Sequence, residues 1–398
     1  MNRKMRNITR GLLLWLAGLG LACSLQAQSL RLIPKEQYVY GGQDTENYLR
    51  LLADQRVGVV ANQTSIIGDK HLVDTLLASG INVTRIFTPE HGFRGTADAG
   101  AKVTNGKDEK TGIEIASLYG KTKKPTPEMM RGLDVMLFDL QDVGVRFYTY
   151  ISTLTYVMEA CAENDIPLIV LDRPNPNGFY IDGPVLKTEN QSFVGLHPVP
   201  VVYGMTIGEY GKMVNGEGWL KNGVHCELSV EPIAGYDRNA LYELPVKPSP
   251  NLPNWESVYL YPSLCFFEGT IVSVGRGTDT PFQVFGHPDI RGSYSFTPES
   301  KDGATKPLLQ GQRCRGENLT DFAHAYADNP RQLQLEWIVE AYQQLKDKPF
   351  FTNYFRLLSG DKKMQKDIEN GKSVAEIRAS WQDDIEAFKS IREKYLIY

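Results

Sequence analysis

The chain has 398 residues, 42% of them hydrophobic and 23% charged, which is enough to bury a large core and to divide into two domains. The formal charge is −4, with 43 basic against 47 acidic residues, so no basic face for nucleic acid is implied. No stretch approaches the roughly 20 apolar residues that span a bilayer, which excludes a transmembrane segment.

The first 27 residues stand apart. Arg3, Lys4, Arg6 and Arg10 precede an apolar run from Gly11 to Ala22, and small or polar residues follow, the three-part layout of a secretory signal. Cleavage after Ala27 is the expected route. Leu21-Ala22-Cys23 offers the alternative of a lipid anchor on Cys23, although Gly20 fits a lipoprotein site poorly. Loss of this segment leaves 39 basic against 47 acidic residues, a formal charge of −8. The expectation is an exported protein, periplasmic or secreted.

From Arg56 onward short apolar runs alternate with helical stretches. Val57–Ala61, Val83–Phe87, Val135–Leu140, Leu168–Leu171 and Cys226–Val230 read as strands. Tyr148–Asn164 reads as a buried helix, and Thr206-x-x-Glu209 is a capping box that opens another, running to Leu220. The alternation predicts α/β architecture, a Rossmann-like, mainly parallel sheet covered by helices. Pro245-Val-Lys-Pro-Ser-Pro-Asn-Leu-Pro-Asn254 cannot form a helix or a central strand, because each proline lacks a donor and restricts its predecessor. It suggests a division into residues 28–248 and a smaller α/β (α+β) C-terminal domain, 249–398. There, Ser373-x-x-Glu376 caps a last helix whose Ile377, Trp381, Ile385 and Phe388 form a stripe for burial. Cys161, Cys226, Cys265 and Cys314 are widely spaced, without metal-binding spacing, and are expected to be buried thiols.

In open parallel sheets, ligands gather beyond the carboxyl ends of strands, so polar clusters there are the candidates for chemistry. Phe87-Thr-Pro-Glu-His-Gly-Phe-Arg-Gly95 places Glu90, His91 and Arg94 after a strand, a carboxyl beside a base as acid/base catalysis requires. Asp139-Leu-Gln-Asp-Val-Gly-Val-Arg-Phe-Tyr-Thr-Tyr150 gathers Asp139, Gln141, Asp142, Arg146 and Tyr148 at another strand end. Leu171-Asp-Arg-Pro-Asn-Pro-Asn-Gly178 is a stiff loop presenting Asp172, Arg173 and Asn175. Past the proline-rich stretch, Phe267-Glu-Gly-Thr270 and Ser273-Val-Gly-Arg-Gly-Thr-Asp-Thr-Pro-Phe282 add Glu268 and Arg276. Gly275-Arg-Gly277 lacks the rest of a dinucleotide fingerprint, and neither G-x-S-x-G nor H-E-x-x-H occurs. Nucleotide binding, serine acyl transfer and zincin chemistry are therefore disfavoured.

The first three of these segments, at Phe87–Gly95, Asp139–Tyr150 and Asp172–Gly178, together with Pro248-Ser-Pro-Asn-Leu-Pro253, resemble the YbbC/NamZ family of exo-β-N-acetylmuramidases over nearly the whole mature chain. The resemblance implies a cleft between the two domains, release of terminal N-acetylmuramic acid from peptidoglycan fragments during cell-wall turnover and recycling, and no cofactor. The family's catalytic glutamate corresponds to Glu90. Asp139 and Asp142 are then candidates for a second carboxylate and His91 for its support. N-acetylmuramic acid carries a lactyl carboxylate, for which the fork of an arginine is suited, with Arg94, Arg146, Arg173 and Arg276 as candidates. Gln141, Tyr148, Asp172, Asn175 and Glu268 complete the expected substrate-binding set. Two other readings remain at this level: a non-catalytic peptidoglycan-binding envelope protein, and a metal-dependent envelope hydrolase using Glu90, His91 and Asp139.

Overall fold

The computed structural model describes residues 32–33, 38–90, 92–93, 105–325 and 331–398. The export segment with Cys23, and two candidate site residues, His91 and Arg94, lie outside the described residues.

Valine- and isoleucine-rich runs form the central strands, as expected where both faces of a sheet are covered. They are β1 (Arg56–Ala61), β2 (Asn82–Thr88), β5 (Val135–Asp139) and β6 (Leu168–Leu171), and β7 (Leu228–Glu231) lies beside them at an edge. Two strands not expected from sequence, β3 (Gly106–Lys107) and β4 (Glu114–Ser117), extend one edge. The seven-stranded order is β7-β6-β5-β1-β2-β4-β3, parallel except for the β3–β4 pair.

Alternation along the strands divides the buried side chains between two cores. Val57, Val59, Leu137 and Ile169 pack on one face, whereas Val60, Phe138, Leu168 and Val170 pack on the other. Helices α1 (Thr45–Leu52) and α2 (Leu72–Ala78) cover the first face, and α3 (Tyr150–Glu163) and α4 (Ile207–Gly216) the second. The Thr206–Glu209 capping box is present at the start of α4. The chain leaves β1 for β2 and β4 on one side and returns to β5 on the other. The sheet's switch point, where ligands collect, therefore lies between β1 and β5.

A smaller C-terminal part carries an antiparallel sheet of β8 (Val284–His287), β9 (Tyr294–Phe296) and β10 (Cys314–Asn318), in the order β8-β10-β9. Helix α5 (Trp255–Leu264) precedes it, capped by Asn254 at the end of the proline-rich stretch. Helices α6 (Glu336–Leu345), α7 (Phe355–Ser359) and, at the end of the chain, α8 (Gln382–Arg392) follow it. The stripe Ile377, Trp381, Ile385 and Phe388 is buried as expected, but two helices carry it, because the chain leaves helical geometry at Trp381. Among the described residues, Cys161, Cys226, Cys265 and Cys314 are buried, free thiols.

The core of the second face continues into the C-terminal part through Leu264, Phe266, Phe355 and Phe388. Polar ties reinforce it. Asp182 accepts from the Trp381 indole at 3.0 Å and pairs with Arg378. Arg146, fully buried, donates to the carbonyls of Pro184 and Val199 at 2.7 and 2.8 Å and to those of Leu358 and Ser359, both at 2.8 Å.

Candidate active site

A cavity of about 660 Å³ opens on the carboxyl side of the main sheet, between the sheet part and the C-terminal part. Its sheet-side wall includes Glu90, Tyr119 and residues Phe147 to Tyr150. These follow β2, β4 and β5, as strand ends beside a switch point should. The opposite wall includes Glu268, Arg276, Phe282 and Tyr354, and Ser249 and Leu252 of the proline-rich stretch join them.

Glu90 is half-buried, two residues beyond β2. Gly92, at φ 75°, permits the tight turn that follows, closed by its amide on the Pro89 carbonyl at 3.2 Å. Thr149 donates to Glu90 Oε2 at 3.4 Å, and the Tyr119 phenol is also hydrogen-bonded to Glu90. Burial, reinforced by the Glu90 charge and that hydrogen bond, raises the pKa of Tyr119, so its proton stays in place as a donor. Desolvation, together with nearby negative groups that include Glu268 and Glu90, does the same for Tyr354. The site therefore sets a carboxyl group among hydroxyl donors and aromatic faces, a composition suited to a sugar ring.

Tyr148 lines the cavity but is fixed in its wall. Its hydroxyl donates to the Pro248 carbonyl at 2.9 Å, and its ring meets Tyr150 edge-on at 4.8 Å. Across the cavity, Glu268 Oε1 receives Arg276 Nε at 2.5 Å. Burial disfavours the Arg276 charge, but the Glu268 carboxylate outweighs this and raises its pKa.

The other described candidates lie outside the cavity lining. Asp139 is fully buried, and Arg173 holds both of its oxygens, Nε at 2.5 Å and Nη2 at 2.9 Å. Neither residue lines the cavity. The pair is an internal strut at the ends of β5 and β6, which also removes Asp139 from the metal cluster considered above. Asp142 is buried behind the wall, accepting from the Gly144 amide at 2.7 Å and from the Tyr203 hydroxyl. Gln141 Nε2 donates to the carbonyls of Asp142 and Pro174, both at 2.8 Å. Asp172 accepts from Thr206 at 2.6 Å and from the Gly208 amide at 2.8 Å, anchoring the start of α4. Asn175 bridges the Met205 carbonyl and the Asn177 amide. Arg146 is spent on carbonyls, as described. These side chains orient the loops that carry the cavity wall and do not face into it.

Burial raises Asp142 and Asp172 to about 6, against the lowering effect of their hydrogen bonds. A raised folded-state pKa means that the native protein binds the proton more tightly than the unfolded chain does. The stabilisation is full below the unfolded value near 4 and is lost as pH rises through 6. Asp142→Asn removes one such group. The expected result is a shallower decline of the unfolding free energy, measured by urea titration, between pH 4 and 7, by roughly 2 kcal/mol across the window; an unchanged slope would contradict the assignment.

Sequence reasoning missed Tyr119, Thr149, Phe193 and Tyr354 as cavity residues. Only Thr149 lay inside a quoted segment. Tyr119 follows the unrecognised strand β4, and Tyr354 sits in the aromatic-rich run Phe350–Phe355, where only the structure reveals that it is 39% exposed while Phe350 and Phe355 are buried.

Two family models match the chain. Residues 57–256 fit the N-terminal model of exo-beta-N-acetylmuramidase NamZ, and residues 259–398 fit the C-terminal model. The peptidoglycan beta-N-acetylmuramidase NamZ of Bacillus subtilis (strain 168) is 40% identical over 407 residues, covering 95% of each chain. Two crystal structures of DUF1343 family proteins from Bacteroides fragilis NCTC 9343 share the architecture. One has a TM-score of 0.83 at 44% identity and the other 0.75 at 29%, each covering 91% of this chain and 99% of its own. With both models matched in order and a relative similar from end to end, the chain belongs to the NamZ family of exo-beta-N-acetylmuramidases.

Proposed function

We propose that the protein is an exo-acting glycosidase that releases terminal β-linked N-acetylmuramic acid from peptidoglycan fragments, with Glu90 as the proton donor. The observation that carries the reading is the Glu90 carboxyl at the end of β2, held on the cavity wall by Tyr119 and Thr149. In its protonated form Glu90 gives a proton to the oxygen of the leaving sugar as the glycosidic bond breaks. Tyr119 and Thr149 orient it, and the Tyr354 hydroxyl is available to sugar hydroxyls. Among the described residues, Glu268 is the other carboxylate in the cavity wall.

The signal-like start of the chain supports action outside the cytoplasm, where peptidoglycan lies, with cleavage after Ala27 or a lipid tether at Cys23. Turnover and recycling of the cell wall is the role that such an activity serves. We take residues 28–248 and 249–398 as the two units that enclose the cleft.

The test is sugar release from a β-linked N-acetylmuramic acid substrate and from its N-acetylglucosamine counterpart, with and without chelator. Release from the muramic substrate alone, insensitive to chelator, is expected. Binding without release from either would indicate a peptidoglycan-binding protein instead, and loss of activity with chelator a metal-dependent hydrolase.

A further inference from the structure

Gly275-Arg-Gly277 fits no nucleotide motif, yet the structure gives both glycines a strict role. Their φ angles are 77° and 81°, in the left-handed region. A Cβ on Gly275 would stand 2.5 Å from Val284 Cγ2, and one on Gly277 2.3 Å from the Glu299 carbonyl oxygen. The loop is closed by the Thr278 amide on the Gly275 carbonyl at 3.0 Å and the Phe282 amide on the Val274 carbonyl at 2.8 Å. Ser273 pairs with Gly286 of β8 at its base. Phe282 itself has φ 55°, a conformation that costs a bulky residue roughly 1–3 kcal/mol, and its ring lies 5.0 Å from the Arg276 guanidinium. The product of this construction is one side chain held in one place.

Arg276 lines the cavity, with its side chain 23% exposed. Glu268 engages Nε, and among the described residues neither terminal nitrogen has a hydrogen-bond partner. That leaves the end of the guanidinium, two N–H groups in a plane, as a preformed receptor for a carboxylate. Arg146 and Arg173 do not line the cavity; both terminal nitrogens of Arg146 are engaged by carbonyls, and Arg173 is paired with Asp139. We infer that Arg276 is the specificity-determining residue that binds the lactyl carboxylate of N-acetylmuramic acid, with Glu268 as its positioning partner. This rests on the muramidase reading above and assigns one subsite within it.

Among the described residues, Lys306, also on the cavity wall and exposed, is the competing cation. A lysine there carries charge without the planar fork and, among the described residues, without a partner to fix it.

The experiment compares three aryl β-glycosides: N-acetylmuramic acid, its lactyl methyl ester, and N-acetylglucosamine. Wild type, Arg276→Ala, Arg276→Lys and Lys306→Ala are assayed, with thermal unfolding as a check on folding. Wild type is expected to prefer the free acid to the ester. Arg276→Ala is expected to lower kcat/KM on the acid by roughly 10- to 100-fold, mainly through KM, while changing the ester little. Arg276→Lys should recover only part of the preference, and Lys306→Ala should retain it. Equal losses on acid and ester, or loss of the preference in Lys306→Ala but not in Arg276→Ala, would overturn the Arg276 assignment and leave the muramidase reading intact. No hydrolysis of any of the three by wild type would overturn both.

Discussion

Glu90→Gln is expected to lower kcat on a muramyl disaccharide by roughly 10²- to 10⁴-fold, the range for loss of a general acid, with little change in KM. The amide keeps the size of the carboxyl and still accepts from Thr149, so the cavity wall keeps its shape. What is lost is the proton. The loss should shrink on an aryl glycoside whose leaving group departs without protonation, and this dependence on leaving group separates a missing acid from a distorted site. If the variant turned over the disaccharide at the wild-type rate, Glu90 would have to be removed from the chemistry.

The second large effect concerns Asp139, where sequence and structure point to different roles. Asp139→Asn leaves the Arg173 guanidinium buried without its counter-charge. The expected cost is about 3–5 kcal/mol of stability, the usual penalty for breaking a buried pair from one side. Turnover per folded molecule should stay near wild type, because neither residue lines the cavity. The opposite pattern, full stability and a collapse of kcat, would restore Asp139 as a catalytic carboxylate. Should the single variant fail to fold, Asp139→Leu combined with Arg173→Met tests the same point, since replacing both charges with apolar groups of similar volume removes the unpaired ion.

Legibility in the sequence followed the range of the forces involved. The strands beginning at Arg56, Asn82, Val135 and Leu168 were readable because apolar β-branched runs are local, and the Thr206–Glu209 box because a cap spans three residues. Strand β4 was not, because Glu-Ile-Ala-Ser gains its extended form from pairing with β2 and carries little pattern of its own. The polar clusters after the strands were found, but not the direction in which each side chain turns. Asp139 looks inward because Arg173, 34 residues on, is there to meet it. Glu90 stands on the cavity wall beside Thr149, 59 residues away. Both clusters follow strands and look alike in the sequence, so only the three-dimensional neighbours distinguish a strut from a site residue. The proline-rich stretch was correctly read as neither helix nor strand. It nevertheless forms part of the cavity wall, tied there by Tyr148 on Pro248 and by Asn251 on the Gly303 carbonyl at 2.8 Å.

Arg146 is one of the ties that join the two sides of the cleft. Two of its carbonyl partners, Pro184 and Val199, flank the loop that brings Phe193 to the cavity, and the other two, Leu358 and Ser359, lie just beyond Tyr354 on the facing wall. Separating those walls would break at least two hydrogen bonds to a charged group, roughly 1.5–3 kcal/mol each, and so disfavours a wider cleft. On this reading, substrate would meet an aperture already near its working width. Little ordering entropy is lost on binding, and saccharide ends are sorted by whether they fit rather than by closure around them.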